Sequence, residues 1–296
     1  MSSFVDLHCH STASDGTLSP TEVVRLAKRS NLCGLSLTDH DTVAGIAEAA
    51  AEAQRLGITF LPGIEISCIF PRPGTLHLLG YGIDPASPAL ADMTRRLVAG
   101  RSQRNTRIIS KLNELGIDIS EADVRATAPA GAAAVIGRPH IAMALIKKGI
   151  VNNTSEAFKT YLGQGGRVYV DKEQITPEEA LNLVRASGGL PVLAHPVQLR
   201  RQSDDELFAV IRDLAQHGLA GIEVIHSDHT AAMTEKFAAW ADELNLLKTG
   251  GSDFHGTPKM HIKLGYAGRH RIPRSMMDSL LERLSSVSRV GQARVG

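Results

Sequence analysis

Short apolar, β-rich runs alternate with amphipathic stretches along most of the chain. The strand-like runs are FVDLH (4–8), CGLSLT (33–38), ITFLPGIEI (58–66), TLHLLGYGI (75–83), GLPVLAH (189–195), AGIEVIH (220–226) and LLKTGGSD (246–253). Helix-like periodicity, with apolar residues three to four apart, follows Pro20, Thr42 and Pro177, covers 204–217 and 230–245, and resumes after Pro273. Several of these segments open with Pro or a Thr/Asp cap and close near Gly, as helix ends require. Strands alternating with helices predict an α/β fold on a parallel sheet, and about seven such units predict a barrel or a large open sheet.

One region departs from this rhythm. Residues 100–167 show no convincing strand, and RSQRNTRIISKLNELG, GRPHIAMALIKKG and SEAFKTYLGQG read as helices. We therefore expect a barrel of residues 1–99 and 168–296 carrying a helical insertion, 100–167, that contributes to substrate binding. Ten basic residues face five acidic ones between 101 and 167, a surplus of five positive charges, although the whole chain carries a formal charge of only +1. Any basic site is therefore local to the insertion.

The rest of the composition narrows the classes. With 296 residues, 43% of them hydrophobic and 21% charged, the chain is long and apolar enough for a sizeable core, which excludes disorder. No run of about 18 apolar residues and no basic-then-apolar leader is found, so neither a membrane span nor a signal peptide is expected. Three cysteines without a CxxC pair fit reduced thiols in the cytoplasm.

The chemistry lies in the twelve histidines, several of them beside aspartates. Residues 6–16, DLHCHSTASDG, place His8, Cys9 and His10 in three adjacent positions, with Asp15 five residues on. In an extended strand alternate side chains share a face, so Asp6, His8 and His10 point one way while Val5, Leu7 and Cys9 point the other. Two imidazoles at this spacing are able to hold one ion together, and Cys9 reads as apolar filler. Other strands add donors: LTDHD (37–41, with His40), GIEIS with Glu65, the mid-strand His77, LAHP with His195, and GSDFH with Asp253 and His255. Singly, each is as well explained by packing. Six strands delivering an acid or an imidazole to one end are not, and the carboxyl ends of parallel barrel strands form one active-site face. Imidazole and carboxylate without thiolate suit Mn, Zn or Fe, and the donors exceed one ion's needs.

These motifs, in this order, resemble those of the polymerase-and-histidinol-phosphatase (PHP) family. GRPHIA in the insertion is similar to one branch, bacterial enzymes that remove the 3'-phosphate of nucleoside 3',5'-bisphosphates and trim short RNA from its 5' end. The resemblance implies a distorted seven-stranded (β/α) barrel, TIM-like, with two or three divalent ions, Mn foremost and Fe or Zn as alternatives. It implies that one ion takes His8, His10, Glu65 and Asp253. A second shares Glu65 and adds His77 and His195, and a third takes Asp15, His40 and His255. Some family members have histidine where this chain has Asp15. Asp6, on the ligand face of the first strand, is read either as a group orienting an imidazole or as a turn residue.

The implied activity is metal-dependent hydrolysis of a phosphomonoester, with His8, His10, Glu65, His195, Asp253 and His255 at the reacting centre. His195 and His255 are alternatives for the leaving group's proton. Arg138 and His140 open a helix after Gly137 and are read as binders of the non-reacting phosphate. Arg101, Arg104 and Arg107, at three-residue spacing, form either a further phosphate-binding face or a solvated helix face. With one Trp, four Tyr and seven Phe the chain offers few stacking platforms. A small bisphosphate or the end of a short oligonucleotide therefore fits better than a long strand. No membrane and no protein partner are implied. Two other readings remain: a phosphatase for another small phosphomonoester such as histidinol phosphate, and a non-catalytic binding module.

Overall fold

The computed structural model describes residues 3–127, 136–171, 173–259 and 261–293. The chain divides into two compact units, Met1–Asp92 with Gln174–Gly296, and Met93–Glu173.

The first unit is α/β. One five-stranded sheet has the order β3-β2-β1-β10-β9, from β1 (Phe4–Asp6), β2 (Gly34–Leu35), β3 (Thr59–Phe60), β9 (Tyr266–Ala267) and β10 (His270–Pro273). The other has the order β4-β5-β6-β7-β8, from β4 (Gly63–Cys68), β5 (Leu76–Tyr81), β6 (Leu190–Leu193), β7 (Gly221–Ile225) and β8 (Leu247–Gly250). Both sheets are mixed, because β5 runs antiparallel to β4 and β6, and β10 runs antiparallel to β1. Helices α1 (Pro20–Arg29), α2 (Ile46–Leu56), α7 (Pro177–Ala186), α8 (Asp204–Gln216), α9 (Ala231–Glu243) and α10 (Arg274–Ala293) connect or follow the strands.

Helix starts follow from local sequence. The Ser19 hydroxyl accepts from the Glu22 amide while the Glu22 carboxylate accepts from the Ser19 amide, with Pro20 in the first turn. Thr176, Glu179 and Pro177 repeat the device for α7.

Among the described residues the expected seven-stranded barrel does not appear as one ladder: the strands are divided between two five-stranded sheets, neither closed on itself. Two features of the chain explain the difference. The run 58–66 is not one strand: it breaks at Leu61–Pro62 into β3 and β4, which belong to different sheets. Pro62 has no amide hydrogen for a ladder, so it marks the crossing. The link from β4 to β5 is also too short for a crossover helix, so these strands form an antiparallel pair. The two sheets are nevertheless laced together by backbone bonds outside regular strands. Leu7 donates to Gly250 (3.3 Å), Asp253 to His8 (2.9 Å) and His10 to Phe254 (2.9 Å) on one side. On the other, Asp41 donates to Glu65 (2.8 Å) and Glu65 to Asp39 (3.2 Å).

Alternation along the first strand has the consequence its pattern predicts. Val5, Leu7 and Cys9 are fully buried in apolar clusters, with Val5 and Leu7 against Leu79, Tyr81 and Val192, and Cys9 against Leu35, Leu37 and Phe254. Burying a Val or Leu side chain contributes about 1.5–3 kcal/mol, which helps offset the cost of burying the polar face behind them. Burial pushes the Cys9 thiol well above its ordinary pKa, and its Sγ donates to the Ser36 carbonyl. All three cysteines are free thiols.

The second unit is helical among its described residues. It comprises most of α3 (Pro88–Glu114), then α4 (Glu121–Arg125), α5 (Arg138–Lys147) and α6 (Thr154–Ala157), the last continued by a π-helical turn, Phe158–Leu162. Ile108, Leu112, Ile119, Ile141, Leu145 and Leu162 belong to its own apolar core. No helix among the described residues is long and apolar enough to cross a membrane.

Gly251 shows how tightly the two sheets meet: a Cβ there would fall on the His8 Cβ and 2.6 Å from the His8 amide nitrogen. Gly251→Ala is expected to lower stability by about 1–3 kcal/mol, the usual cost of overpacking, read as a reduced Tm in a circular-dichroism melt.

Candidate metal centre

Extended backbone beyond β1 turns His8 and His10 to one side, and both are fully buried. Glu65 comes from the middle of β4, Asp253 and His255 from the loop after β8, and His195 from the end of β6. His77 lies at the start of β5, opposite Ser67. Because β5 is antiparallel, its beginning lies beside the carboxyl end of β4, so His77 reaches the centre from the opposite chain direction.

The Glu65 carboxylate is the hub. Its Oε1 faces His77 Nδ1 at 2.9 Å and His195 Nε2 at 3.0 Å. Its Oε2 faces His40 Nδ1 at 2.9 Å, His10 Nε2 at 3.3 Å and His8 Nε2 at 3.4 Å. Asp253 Oδ1 completes the first group, 3.3 Å from His10 Nε2 and 3.6 Å from His8 Nε2. Asp15, His10, His40 and His255 form another group, with His255 Nε2 3.3 Å from Asp15 Oδ1.

Electrostatics follow from this crowding. Burial works to raise the pKa of Glu65, yet His40, His77 and His8 hold its carboxyl well below the usual range. Asp253 is likewise held well down against burial by His10, His226 and His8, and Asp15 by His40 and His255. Burial pulls His8 downward, but Glu223 and Glu65 carry it well above the ordinary imidazole value. His195 goes the other way, to about 4, because burial outweighs Glu65. A neutral His195 keeps its lone pair for a ligand role and holds no imidazolium proton to give to a leaving group.

Several of these atoms fit a cation. His8 Nε2, His10 Nε2 and Glu65 Oε2 are buried without a hydrogen-bond partner. Nitrogen or oxygen ligands about 2.1 Å from a tetrahedral ion lie about 3.4 Å apart. The two ring nitrogens lie 3.3–3.4 Å from Glu65 Oε2 and 3.3–3.6 Å from Asp253 Oδ1. The donors are imidazole and carboxylate, which suit Mn, Fe or Zn.

The remaining sequence-predicted residues fall elsewhere. Asp6 does not orient an imidazole. Fully buried, it accepts from the His8 and Ser252 amides (3.2 and 3.0 Å), the Ser252 hydroxyl (2.6 Å) and the Gly265 amide (2.6 Å). It therefore secures the loop that carries Asp253, a backbone role for which the strand pattern gave no warning. Arg101, Arg104, Arg107, Arg138 and His140 belong to the helical unit. Arg101 and Arg104 are buried and Arg107 is exposed, so they do not form one solvated face. Arg101 lines a cavity of about 190 Å³ with Asn105, Glu121 and Arg125. Arg138 opens α5, donates to the Leu162 carbonyl (3.1 Å) and lies over the Phe158 and Tyr169 rings. His140 Nδ1 accepts from the Gly137 amide (3.1 Å) and so helps cap α5.

Three groups at the centre escaped the sequence reading. Glu223 Oε1 faces His8 Nδ1 at 3.0 Å, and its Oε2 accepts from the His195 amide at 2.8 Å. His226 and Lys259 both face Asp253 Oδ2, at 3.6 and 2.5 Å. His226 Nδ1 accepts from the Asp228 amide, while its buried Nε2, near Asp253 Oδ2, has no hydrogen-bond partner. The signal for Glu223 was present in AGIEVIH, an acid inside an otherwise apolar strand, the same pattern that singled out Glu65 in GIEIS. Lys259 had none.

An α/β scaffold with a buried carboxylate shared among imidazoles makes a centre fit for divalent ions. Comparison with known proteins carries this further. The PHP domain profile matches residues 6–124. A 5'-3' exoribonuclease of Haemophilus influenzae is 36% identical over 260 residues, covering 88% of this chain and 92% of the relative. A 3',5'-nucleoside bisphosphate phosphatase of Chromobacterium violaceum is 38% identical over 253 residues, covering 85% and 87%. A phosphoribosyl 1,2-cyclic phosphate 1,2-diphosphodiesterase of Eggerthella lenta is 33% identical, covering 85% and 94%. A crystal structure of a metal-dependent phosphoesterase from Bifidobacterium adolescentis superposes with a TM-score of 0.82 at 32% identity, over 94% of this chain and 96% of that one. The chain belongs to the PHP family.

Removing one member of the first group should release metal. His8→Ala and Asp253→Ala are each expected to lower bound metal per chain, measured by elemental analysis of purified protein, and to reduce turnover by at least 100-fold. Near-normal metal content and turnover in both would contradict this grouping.

Proposed function

We propose that this protein is a divalent-metal phosphatase that removes the 3'-phosphate of nucleoside 3',5'-bisphosphates and also acts on the 5' ends of short RNA. The observation that carries this reading is Glu65, one buried carboxylate facing five imidazoles with its two oxygens divided between them. That arrangement suits ions held side by side with Glu65 between them. His8, His10 and Asp253 would hold one ion with Glu65, and His77 and His195 a second. Asp15, His40 and His255 would hold a third. The two sheets then read as halves of the family's distorted barrel.

Bound divalent ions supply Lewis acidity, activating water and neutralising phosphoryl charge. The chain's own groups do the rest. Asp253 offers Oδ1 to the centre while Lys259 occupies Oδ2, which fixes the carboxylate's orientation. His255 Nδ1 donates to the Asp253 carbonyl (2.9 Å), leaving Nε2 turned toward Asp15. Burial of His8, His10 and Glu65 limits the water that competes for the same atoms.

Substrate choice is assigned to the basic helical unit, with Arg138 and His140 recognising the non-reacting phosphate and Arg101, Arg104 and Arg107 adding positive potential. Support comes from the relatives named for bisphosphate phosphatase and exoribonuclease activity, which align along most of the chain. Free thiols suit a cytoplasmic setting, and the imidazole and carboxylate donors suit Mn as the working ion, with Fe or Zn as alternatives. The Eggerthella lenta relative favours one other substrate, a cyclic phosphodiester, through the same centre.

Phosphate release with Mn, assayed on adenosine 3',5'-bisphosphate, histidinol phosphate and a ribose 1,2-cyclic phosphate, separates these readings. Release mainly from the bisphosphate is expected. Release from none of them would leave a binding module. Arg138→Ala is expected to raise KM for the bisphosphate at least 10-fold more than for adenosine 3'-monophosphate, and an equal effect on both would remove Arg138 from phosphate recognition.

A further inference from the structure

Three non-glycine residues at the centre have left-handed backbone: Asp41 (φ 57°), His195 (φ 26°) and Asp253 (φ 57°). Such conformations persist only where surrounding bonds hold them. Each of the three has its amide tied to another part of the site. Asp41 donates to the Glu65 carbonyl and Asp253 to the His8 carbonyl, at 2.8 and 2.9 Å. His195 donates instead to a side chain, Glu223 Oε2, at 2.8 Å. The first two anchors are main chain and survive any substitution of the residue that provides them. The third does not.

The other oxygen of the same carboxylate lies 3.0 Å from His8 Nδ1. Glu223 is fully buried on β7, beside a bulge in the pairing of β7 with β8. It therefore meets two N–H groups, the His195 amide and the His8 Nδ1–H, with one acceptor oxygen for each. A proton on His8 Nδ1 leaves the lone pair on Nε2, the atom that faces Glu65 and Asp253. The His195 bond holds the turn that brings its Nε2 to the other Glu65 oxygen.

We propose that Glu223 is a positioning residue that couples two ion positions, setting the tautomer of His8 for one and the backbone of His195 for the other. The inference rests on the reading that His8 and His195 serve different ions. It gives Glu223→Gln a specific failure. A carboxamide has one acceptor and one donor, so it satisfies only one of the two N–H groups. Either the His195 amide faces an NH2 group, or His8 turns its proton onto Nε2 and loses its ligand atom.

The first test uses the zinc-loaded wild-type protein and long-range proton–nitrogen NMR of its histidines. The expected result is a proton on His8 Nδ1 with Nε2 bound, and a proton on Nε2 overturns the proposal. The second is calorimetric titration of metal-depleted wild-type, Glu223→Gln and His77→Ala proteins with Mn. Glu223→Gln is expected to weaken two ions by about 10–100-fold, the usual effect of losing a partner that orients a metal-bound imidazole, whereas His77→Ala weakens one. Wild-type affinity and stoichiometry in Glu223→Gln, or weakening of a single ion, overturns the coupling while leaving the metal centre intact. Absence of any divalent-ion binding by the wild-type protein removes the metal reading and the coupling with it. If Glu223→Gln does not fold, the NMR result on the wild-type protein decides.

Discussion

Glu65 holds a negative charge almost wholly removed from water, and five imidazoles surround it. Burying an ionised carboxylate is costly unless opposite charge or hydrogen-bond donors compensate. Here compensation comes from residues 8, 10, 40, 77 and 195, which arrive on four separate segments of the chain. The geometry of those strand ends is set by the need to bring five rings to one carboxylate. A centre of this kind is poised for cations, because several ring nitrogens and Glu65 Oε2 are buried there without a hydrogen-bond partner.

That requirement explains irregularities that would otherwise read as defects. The strand ladder gives way to bent backbone at Asp41, His195 and Asp253, each with positive φ, at the places where ligand-bearing segments turn inward. Backbone bonds between the two sheets, and the Asp6 carboxylate gathering the His8, Ser252 and Gly265 amides, hold these bends in place. Stability and function here draw on the same few groups.

The helical unit stands on a separate core and carries the positive surplus. Its arginines are less interchangeable than their spacing implies. Arg101 and Arg104 are buried, Arg107 is exposed, and Arg138 is held by a carbonyl and two aromatic rings. A guanidinium fixed in this way suits recognition of a phosphate better than a mobile lysine would. Relatives of different printed activity align with this chain at comparable identity, so membership of the family does not by itself fix the substrate.

Much of the centre was legible in the chain itself. The strict alternation of Asp6, His8 and His10 against Val5, Leu7 and Cys9 determined which face each would take, because a strand has a period of two. Acids and imidazoles within or at the ends of apolar runs likewise marked Glu65, His77, His195, Asp253 and His255. Tertiary structure decided what periodicity does not encode. It split 58–66 between two sheets at Pro62 and paired β5 antiparallel to its neighbours, so the strands are divided between two mixed sheets. It gave Asp6 to the backbone and gave His8 to Glu223, a residue 215 positions away. Side-chain partners of that separation depend on strand order and register, and those are fixed only when the whole core packs.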